Sequence, residues 1–354
     1  LTEGLTVDGQ AVAKSTIIGS AKVDAMAIDA VGSTYQGNAG ADVFSALTSA
    51  IMHGSATSYT TIDGGDGDDT ISTTDSNHTL VDADFTGISN VEKLVMDVDG
   101  STNATAVTGS ALFSDAFATG ADIDVDAGNA TVTLDFSAAT VAVTIDLNSE
   151  TTTNDIVVKT GSGADSVTIA NVAATSAQTT VTTGAGDDTI VIDLETTGTL
   201  NLGSDVLNIT AGTGKDTITV TDDANTRNID HVTYTVGAGD STIANFDVIK
   251  GYATAVTANT LAASTIDFDG GSNDHAAAVS NAAVDGYTSA ELLLSSAADG
   301  LVTFAGTAAA DLDVDAMVAA VQAQFTTAGD TVVFVNGDHS YVFHNDTDGD
   351  SLVQ

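Results

Sequence analysis

Val181-Thr182-Thr183-Gly184-Ala185-Gly186-Asp187-Asp188-Thr189-Ile190 is the stretch that decides how this chain folds. An alternating apolar run enters Gly-x-Gly-x-Asp, and a second alternating run leaves it. The same pattern stands at Val157-Val158-Lys159-Thr160-Gly161-Ser162-Gly163-Ala164-Asp165-Ser166-Val167 and at Ile209-Thr210-Ala211-Gly212-Thr213-Gly214-Lys215-Asp216-Thr217-Ile218. A degenerate copy follows at Val236-Gly237-Ala238-Gly239-Asp240-Ser241-Thr242-Ile243. Period-two alternation is the mark of half-buried strands. Between the second glycines, Gly163 to Gly186 is 23 residues, Gly186 to Gly214 is 28 and Gly214 to Gly239 is 25. Back-to-back repeats would make a narrow two-sided roll. Intervals near 25 predict a wider coil of two or three short strands per turn, with glycine corners stacked once per rung as in a solenoid.

The residue types at the corner point to a hard cation. Calcium takes about six to eight oxygens from carboxylates and backbone carbonyls in a flexible shell. A turn aims several carbonyls at one point only where its residues tolerate positive φ, the conformation open to glycine. The Asp after the second glycine adds a carboxylate. Gly64-Gly65-Asp66-Gly67-Asp68-Asp69-Thr70-Ile71 is a fuller version of the pattern. The candidate ligand positions are Gly64, Gly65, Asp66, Gly67 and Asp69; Gly161, Gly163 and Asp165; Gly184, Gly186 and Asp188; Gly212, Gly214 and Asp216; and Asp240. Asp69, Asp165, Asp188 and Asp216 are the expected carboxylates. In the degenerate copy Ser241 takes the ligand position. The alternative for any single copy is an ordinary β-turn, which Gly and Asp also favour; recurrence in a very acidic chain favours several calcium ions.

The chain has 354 residues, with 49 acidic and only 7 basic side chains, for a formal charge of −42. No basic patch can be assembled to meet phosphates, so nucleic acid is excluded as a direct partner. Disorder is the usual consequence of such charge, but 43% hydrophobic residues in repeated alternation oppose it. There is no cysteine, which removes disulfides and thiolate metal sites. No apolar run approaches the roughly 18 residues of a membrane span. The chain opens at Leu1 and shows no signal peptide, which reads as a processed chain or part of a longer one.

The expected architecture is mainly β, a calcium-binding parallel β-helix or β-solenoid with a smaller α+β C-terminal region. Residues 1–110 read as a less regular β region holding the early nonapeptide and a partial copy at Gly37-Asn38-Ala39-Gly40-Ala41-Asp42-Val43-Phe44; residues 111–252 read as the solenoid; residues 253–354 read as α+β. Ile123 to Leu134, through Gly128 and Asn129, reads as a weaker rung, and Leu200-Asn201-Leu202 as a strand. In the last region the expectation is a short helix over Ser289 to Ala298 and a better one over Asp315 to Phe325. The second has Met317, Val318, Val321 and Phe325 on one face and Asp313 or Asp315 as its cap. A hairpin is expected from Thr331–Val335, the turn Asn336-Gly337-Asp338, and Ser340–Phe343. Asp346-Thr347-Asp348-Gly349-Asp350 is half of a calcium loop without its bidentate Glu.

The Gly-rich octapeptide and its partial copies resemble the calcium-binding nonapeptide of RTX (repeats-in-toxin) proteins. Together with Ile88-Ser89-Asn90-Val91-Glu92-Lys93-Leu94, Ile243-Ala244-Asn245-Phe246-Asp247-Val248-Ile249 and the closing Ser340-Tyr341-Val342-Phe343-His344-Asn345-Asp346, they look like calcium-dependent bacterial S-layer proteins exported by type I secretion. The resemblance implies an extracellular, cell-surface protein that folds on calcium and self-assembles. Its partners would be further copies of itself and, as a second class, cell-surface polysaccharide, without membrane insertion. The alternatives are an RTX adhesin fragment or the β-helix part of a secreted polysaccharide-acting enzyme. Neither His-Glu-x-x-His nor Gly-x-Ser-x-Gly occurs, and the six histidines are dispersed. Seven basic residues are too few for a cleft that grips acidic sugars. The expectation is a structural protein and not an enzyme.

Overall fold

A computed structural model describes residues 3–7, 14–28, 31–46, 59–73, 79–97, 104–126, 131–147, 155–172, 178–194, 206–222, 231–237, 239–251, 265–268, 274–275, 279–284, 292–296, 301–345 and 350–354. The architecture is mainly β, a parallel solenoid with a small helical part near the C-terminus. Its first wall is an eleven-stranded sheet in strict chain order, from Thr6–Val7 through Thr70–Thr73, Lys93–Asp97, Ala121–Asp126, Val143–Leu147, Ser166–Val172, Thr189–Leu194 and Thr217–Asp222 to Val248–Lys250. The strands of the second wall alternate with these along the chain. They form a four-stranded sheet in the N-terminal part and an eight-stranded sheet from Thr79–Leu80 to Thr265–Phe268. Every pairing within these three sheets is parallel. The described strands from Thr6–Val7 to Lys93–Asp97 therefore continue the same stack through the first wall.

Register follows the alternation. Ile145, Val167, Ile190, Ile218 and Ile249 pair one above the other in the first wall, and Leu134, Val158, Val181, Ile209 and Tyr234 in the second. The first four of each column and Tyr234 are buried, and Ile249 packs against the core. A one-residue slip would turn each column to solvent, so burial fixes the register. Each buried Ile or Leu contributes about 1.5–3 kcal/mol, repeated once per rung and wall.

The second wall breaks between its two sheets, and a short six-residue helix, Ala111–Ala116, lies there with the 3-10 turn Asp82–Phe85. Asp82 holds the helix start: its carboxylate accepts from the amides of Ser110 at 2.6 Å and Phe113 at 3.1 Å. Phe113 stands 5.2 Å from Phe85, 4.8 Å from Phe117 and 4.6 Å from Phe136, all four rings buried. An aromatic plug thus fills the middle of the solenoid, where no glycine corner occurs.

The C-terminal region carries its own core. Helix Val314–Gln324 begins at Asp313, whose Oδ1 accepts from the Ala316 amide at 2.8 Å, and it buries Met317, Val318 and Val321 with Phe325 just beyond. They pack with Phe334, Tyr341 and Phe343 of the hairpin Asp330–Asn336 and His339–His344. The expected helix over Ser289 to Ala298 is corrected: Leu293–Ser296 is a strand, antiparallel to Val279–Ala283 and Val302–Ala305. Leu292 and Leu294 are buried, a period-two pattern that pairing on both edges satisfies better than a lone helical turn. Gly128, Asn129, Leu200 to Leu202 and Asp346 to Gly349 lie outside the described residues. Strand Ser351–Val353 binds the last rung: Ile249 N–H donates to Gln354 O at 2.6 Å and Leu352 N–H to Ser241 O at 3.1 Å. Among the described residues no helix is long and apolar enough to cross a membrane.

A buried carboxylate ladder as candidate functional site

Each intact Gly-x-Gly-x-Asp corner turns one Asp into the solenoid, and the rungs link these carboxylates vertically. In the C-terminal half, Asp165 Oδ1 accepts from Val143 N–H, Asp188 Oδ1 from Asp165 N–H and Asp216 Oδ1 from Asp188 N–H, each at 2.7 Å. Asp247 Oδ1 continues the column, accepting from Asp216 N–H at 3.0 Å. A second ladder runs through the N-terminal half. Asp42 Oδ1 accepts from Asp24 N–H and Asp69 Oδ1 from Asp42 N–H, both at 2.7 Å, and Glu92 Oε2 accepts from Asp69 N–H at 2.8 Å. The aromatic plug separates the two.

The aspartates of both columns are sealed. Asp42, Asp69 and Asp216 are 0% exposed, Asp188 1% and Asp165 2%. One oxygen of each, Oδ2, is buried without a hydrogen-bond partner. Natural interiors leave few such atoms, because an unsatisfied buried polar group costs about 1–3 kcal/mol and a charged one more. The Thr160 hydroxyl lies near enough to ease the charge on Asp165, yet not in hydrogen-bonding geometry, so Thr160 Oγ1 and Asp165 Oδ2 both stay unpartnered. Burial first, then the neighbouring carboxylates, pushes Asp188 up to about 6 and Asp69 to about 6. The same two causes push Asp216 to about 8 and Asp247 to about 7. Burial also raises Asp42 and Asp165.

Asp24 shows what a completed carboxylate looks like. Its Oδ2 accepts from Ser20 N–H at 2.5 Å, its Oδ1 from the Ser20 hydroxyl at 3.0 Å and also from the Leu5 amide. Burial pushes its pKa up, but those donors outweigh it and hold Asp24 below the usual range. The interior rungs lack the equivalent donors.

Glycine shapes the corner in two ways. Gly186 and Gly214 have φ of 140° and 149°, and a Cβ on either would lie 1.8 Å from the carbonyl oxygen of the glycine one rung below. Stacked corners are therefore held in backbone contact. Gly64 has ordinary φ and is needed for space: a Cβ there would lie 2.6 Å from Asp69 Oδ2 and 1.9 Å from Asn90 O. The room beside the orphaned oxygen is a cradle that a side chain would fill.

Of the sequence candidates, Asp69, Asp165, Asp188 and Asp216 lie in the ladders with their glycines in the corners, Asp69 in the N-terminal one and the other three in the C-terminal one. Asp66 is exposed at its corner and apart from the column. Asp240 turns back to accept from Gly237 N–H at 2.8 Å. Its rung instead places Asp247 in the ladder, with Ser241 Oγ accepting from Asp247 N–H at 2.8 Å. Asp24, Asp42, Glu92 and Asp247 complete the columns and were not among the expected ligands. Asp42 carried a readable signal, lying five residues after Gly37 as Asp69 lies five after Gly64.

Among the described residues, no three Asp, Glu, His or Cys side chains converge on one point as a ready metal cluster. An ion between two corners would have at most two carboxylates and would complete its shell from backbone carbonyls and water, a donor set suited to calcium rather than zinc. No family model matches the chain, and neither the curated proteins nor the solved structures include a match to it.

Proposed function

We propose that this chain is a secreted structural protein of the RTX type, whose solenoid is completed by calcium at the Asp corners and which then associates with copies of itself into a bacterial surface layer or filament. The observation that carries the reading is the set of buried carboxylates Asp42, Asp69, Asp165, Asp188 and Asp216, each with Oδ2 unpartnered, with glycine leaving room beside that oxygen at Asp42 and Asp69. Asp69, Asp165, Asp188, Asp216 and Asp247 would hold the ions, with carbonyls of the glycine corners. Calcium supplies the positive charge that the ladders lack. Bound ions would also offset part of the −42 that keeps copies apart. The role is structural rather than catalytic, because the shifted carboxylates lie where no substrate reaches them.

The test is electron microscopy and circular dichroism of the purified chain in calcium and in chelator. Calcium is expected to give strand signal and ordered arrays; chelator is expected to abolish both. Magnesium, which gives up its water reluctantly, is expected to substitute poorly. Unchanged spectra in chelator would refute calcium-dependent folding. A folded chain that stays monomeric in calcium would refute the layer.

A further inference from the structure

We infer that the carboxylate column loads as two separate cation arrays, and that the N-terminal one is a calcium site in its own right, built on Asp42 and Asp69 and filling first. The inference rests on the calcium reading above and divides it. A single register position runs through the first wall at the start of its strands. Asp24, Asp42 and Asp69 immediately precede Ala25, Val43 and Thr70, which pair in turn, and Glu92 precedes Lys93, the partner of Thr70. Asp165, Asp188, Asp216 and Asp247 precede Ser166, Thr189, Thr217 and Val248 in the same way. Between Glu92 and Asp165 the position passes to Ala121 and Val143, which pair with each other and are buried. Neither side chain can hold a cation. Glu92 and Asp165 therefore stand three rungs apart, about 14 Å at the spacing of strands, and no ligand is shared across the gap.

The N-terminal array is closed at both ends. Asp24 has its donors from Ser20 and Leu5. Glu92 accepts from Asp69 N–H through Oε2 and from the Thr119 hydroxyl, at 3.2 Å, through Oε1. Between them lie the Oδ2 atoms of Asp42 and Asp69, both fully buried and unpartnered. Each shares an open space with a backbone carbonyl of the next rung. A Cβ on Gly37 would lie 2.2 Å from both Asp42 Oδ2 and Gly64 O, and one on Gly64 would lie 2.6 Å from Asp69 Oδ2 and 1.9 Å from Asn90 O. Carboxylate and carbonyl oxygens turned to one small volume, with water for the rest, are the donors calcium takes. The C-terminal corners fill that volume. Five residues before Asp165, Asp188 and Asp216 stand Thr160, Thr183 and Ala211, where Gly37 and Gly64 stand before Asp42 and Asp69. The Thr160 and Thr183 hydroxyls lie beside their carboxylates, so side chains take the room that glycine leaves open. The Thr183 hydroxyl already donates to Ala211 O at 2.6 Å. An ion entering there competes with a side chain, and the N-terminal array binds at lower calcium.

Hydrogen exchange of the whole chain, read by mass spectrometry as free calcium is raised from chelator, follows the two halves separately. Strands Thr34–Ala39 to Thr70–Thr73 report the first array, and Gln178–Ala185 to Thr217–Asp222 the second. The parent is expected to show two midpoints, the N-terminal one at roughly tenfold lower calcium, within the range that ligand set and rigidity tune. Asp42→Asn with Asp69→Asn keeps both Oδ1 acceptors and removes the charges. It is expected to abolish the calcium dependence of protection in the N-terminal strands and to move the C-terminal midpoint less than about twofold, as for distant independent sites. Asp188→Asn with Asp216→Asn is expected to do the reverse. A shared midpoint in the parent, C-terminal filling first, or either variant shifting both halves alike would overturn the inference. Should a variant fail to fold in calcium, the parent's two midpoints decide. Protection of neither half by calcium would refute the calcium reading itself, which the other failures leave standing.

Discussion

Replacing Asp188 with Asn isolates the charge in the ladder. Asparagine keeps Oδ1, which accepts from Asp165 N–H at 2.7 Å, and puts an amide nitrogen where the unpartnered Oδ2 lies. Thr183, whose hydroxyl faces Asp188, can accept from that nitrogen. The folded carboxyl of Asp188 releases its proton near 6, against 3.8 for an ordinary Asp. Unfolded chains ionise first, so stability is complete below about pH 4 and is lost as pH rises through 6. Two pKa units correspond to about 3 kcal/mol at neutral pH. In chelator at pH 7.5, Asp188→Asn is therefore expected to be more stable than the parent by up to about 3 kcal/mol, roughly 4 °C in melting temperature for a chain of 354 residues. At pH 4 the difference should vanish. In about 10 mM calcium, tenfold above a Kd of about 10⁻³ M, the parent gains about 1.4 kcal/mol per site, and Asp188 adjoins two rungs. The variant's advantage should then shrink to nothing or reverse. Thermal melts by circular dichroism in the four conditions measure this. A variant less stable than the parent in chelator at pH 7.5, or an advantage that calcium leaves untouched, would refute the reasoning.

Other outcomes follow from the same geometry. Asp247→Ala should weaken calcium binding in calorimetric titration while Asp240→Ala leaves it nearly intact, because only Asp247 meets Asp216 N–H; equal losses would contradict the column. Gly186→Ala should disrupt the stack, its Cβ falling 1.8 Å from Gly163 O, whereas Gly239→Ala, with no atom within 4 Å, should cost only the roughly 1–2 kcal/mol of an unfavourable φ; urea melts compare them. Phe113→Ala should cost about 3–5 kcal/mol by emptying the aromatic plug, and a loss below about 1 kcal/mol would mean the plug is not packed as described.

The strands and the corners were legible because both are local. Alternation around Val181 and Ile190 gives the walls, and Gly-x-Gly-x-Asp gives the turn that points Asp188 inward. Helix Val314–Gln324 and its hairpin were legible for the same reason, with Asp313 capping in sequence. Asp247 was not, because its place is set by register with Asp216 across 31 residues rather than by its neighbours. Glu92 reaches the N-terminal column from outside any glycine repeat, its longer side chain spanning to Asp69 N–H. The plug helix was hidden because its cap, Asp82, lies 28 residues before Ser110. Leu292, Leu293 and Leu294 read equally as helix or strand, and only pairing with Val279–Ala283 and Val302–Ala305 decides between them.

The most direct measurement is the strand signal of the purified chain as free calcium is raised at pH 7.5, beside the chelated chain at pH 5. If cations complete the ladders, strand signal rises steeply with calcium at pH 7.5, because several rungs must fill together. Protons then replace calcium in part, so the chelated chain recovers strand signal at pH 5, below the values near 6 to 8 of Asp69, Asp188, Asp247 and Asp216. A chelated chain fully folded at pH 7.5 and indifferent to calcium would contradict the account.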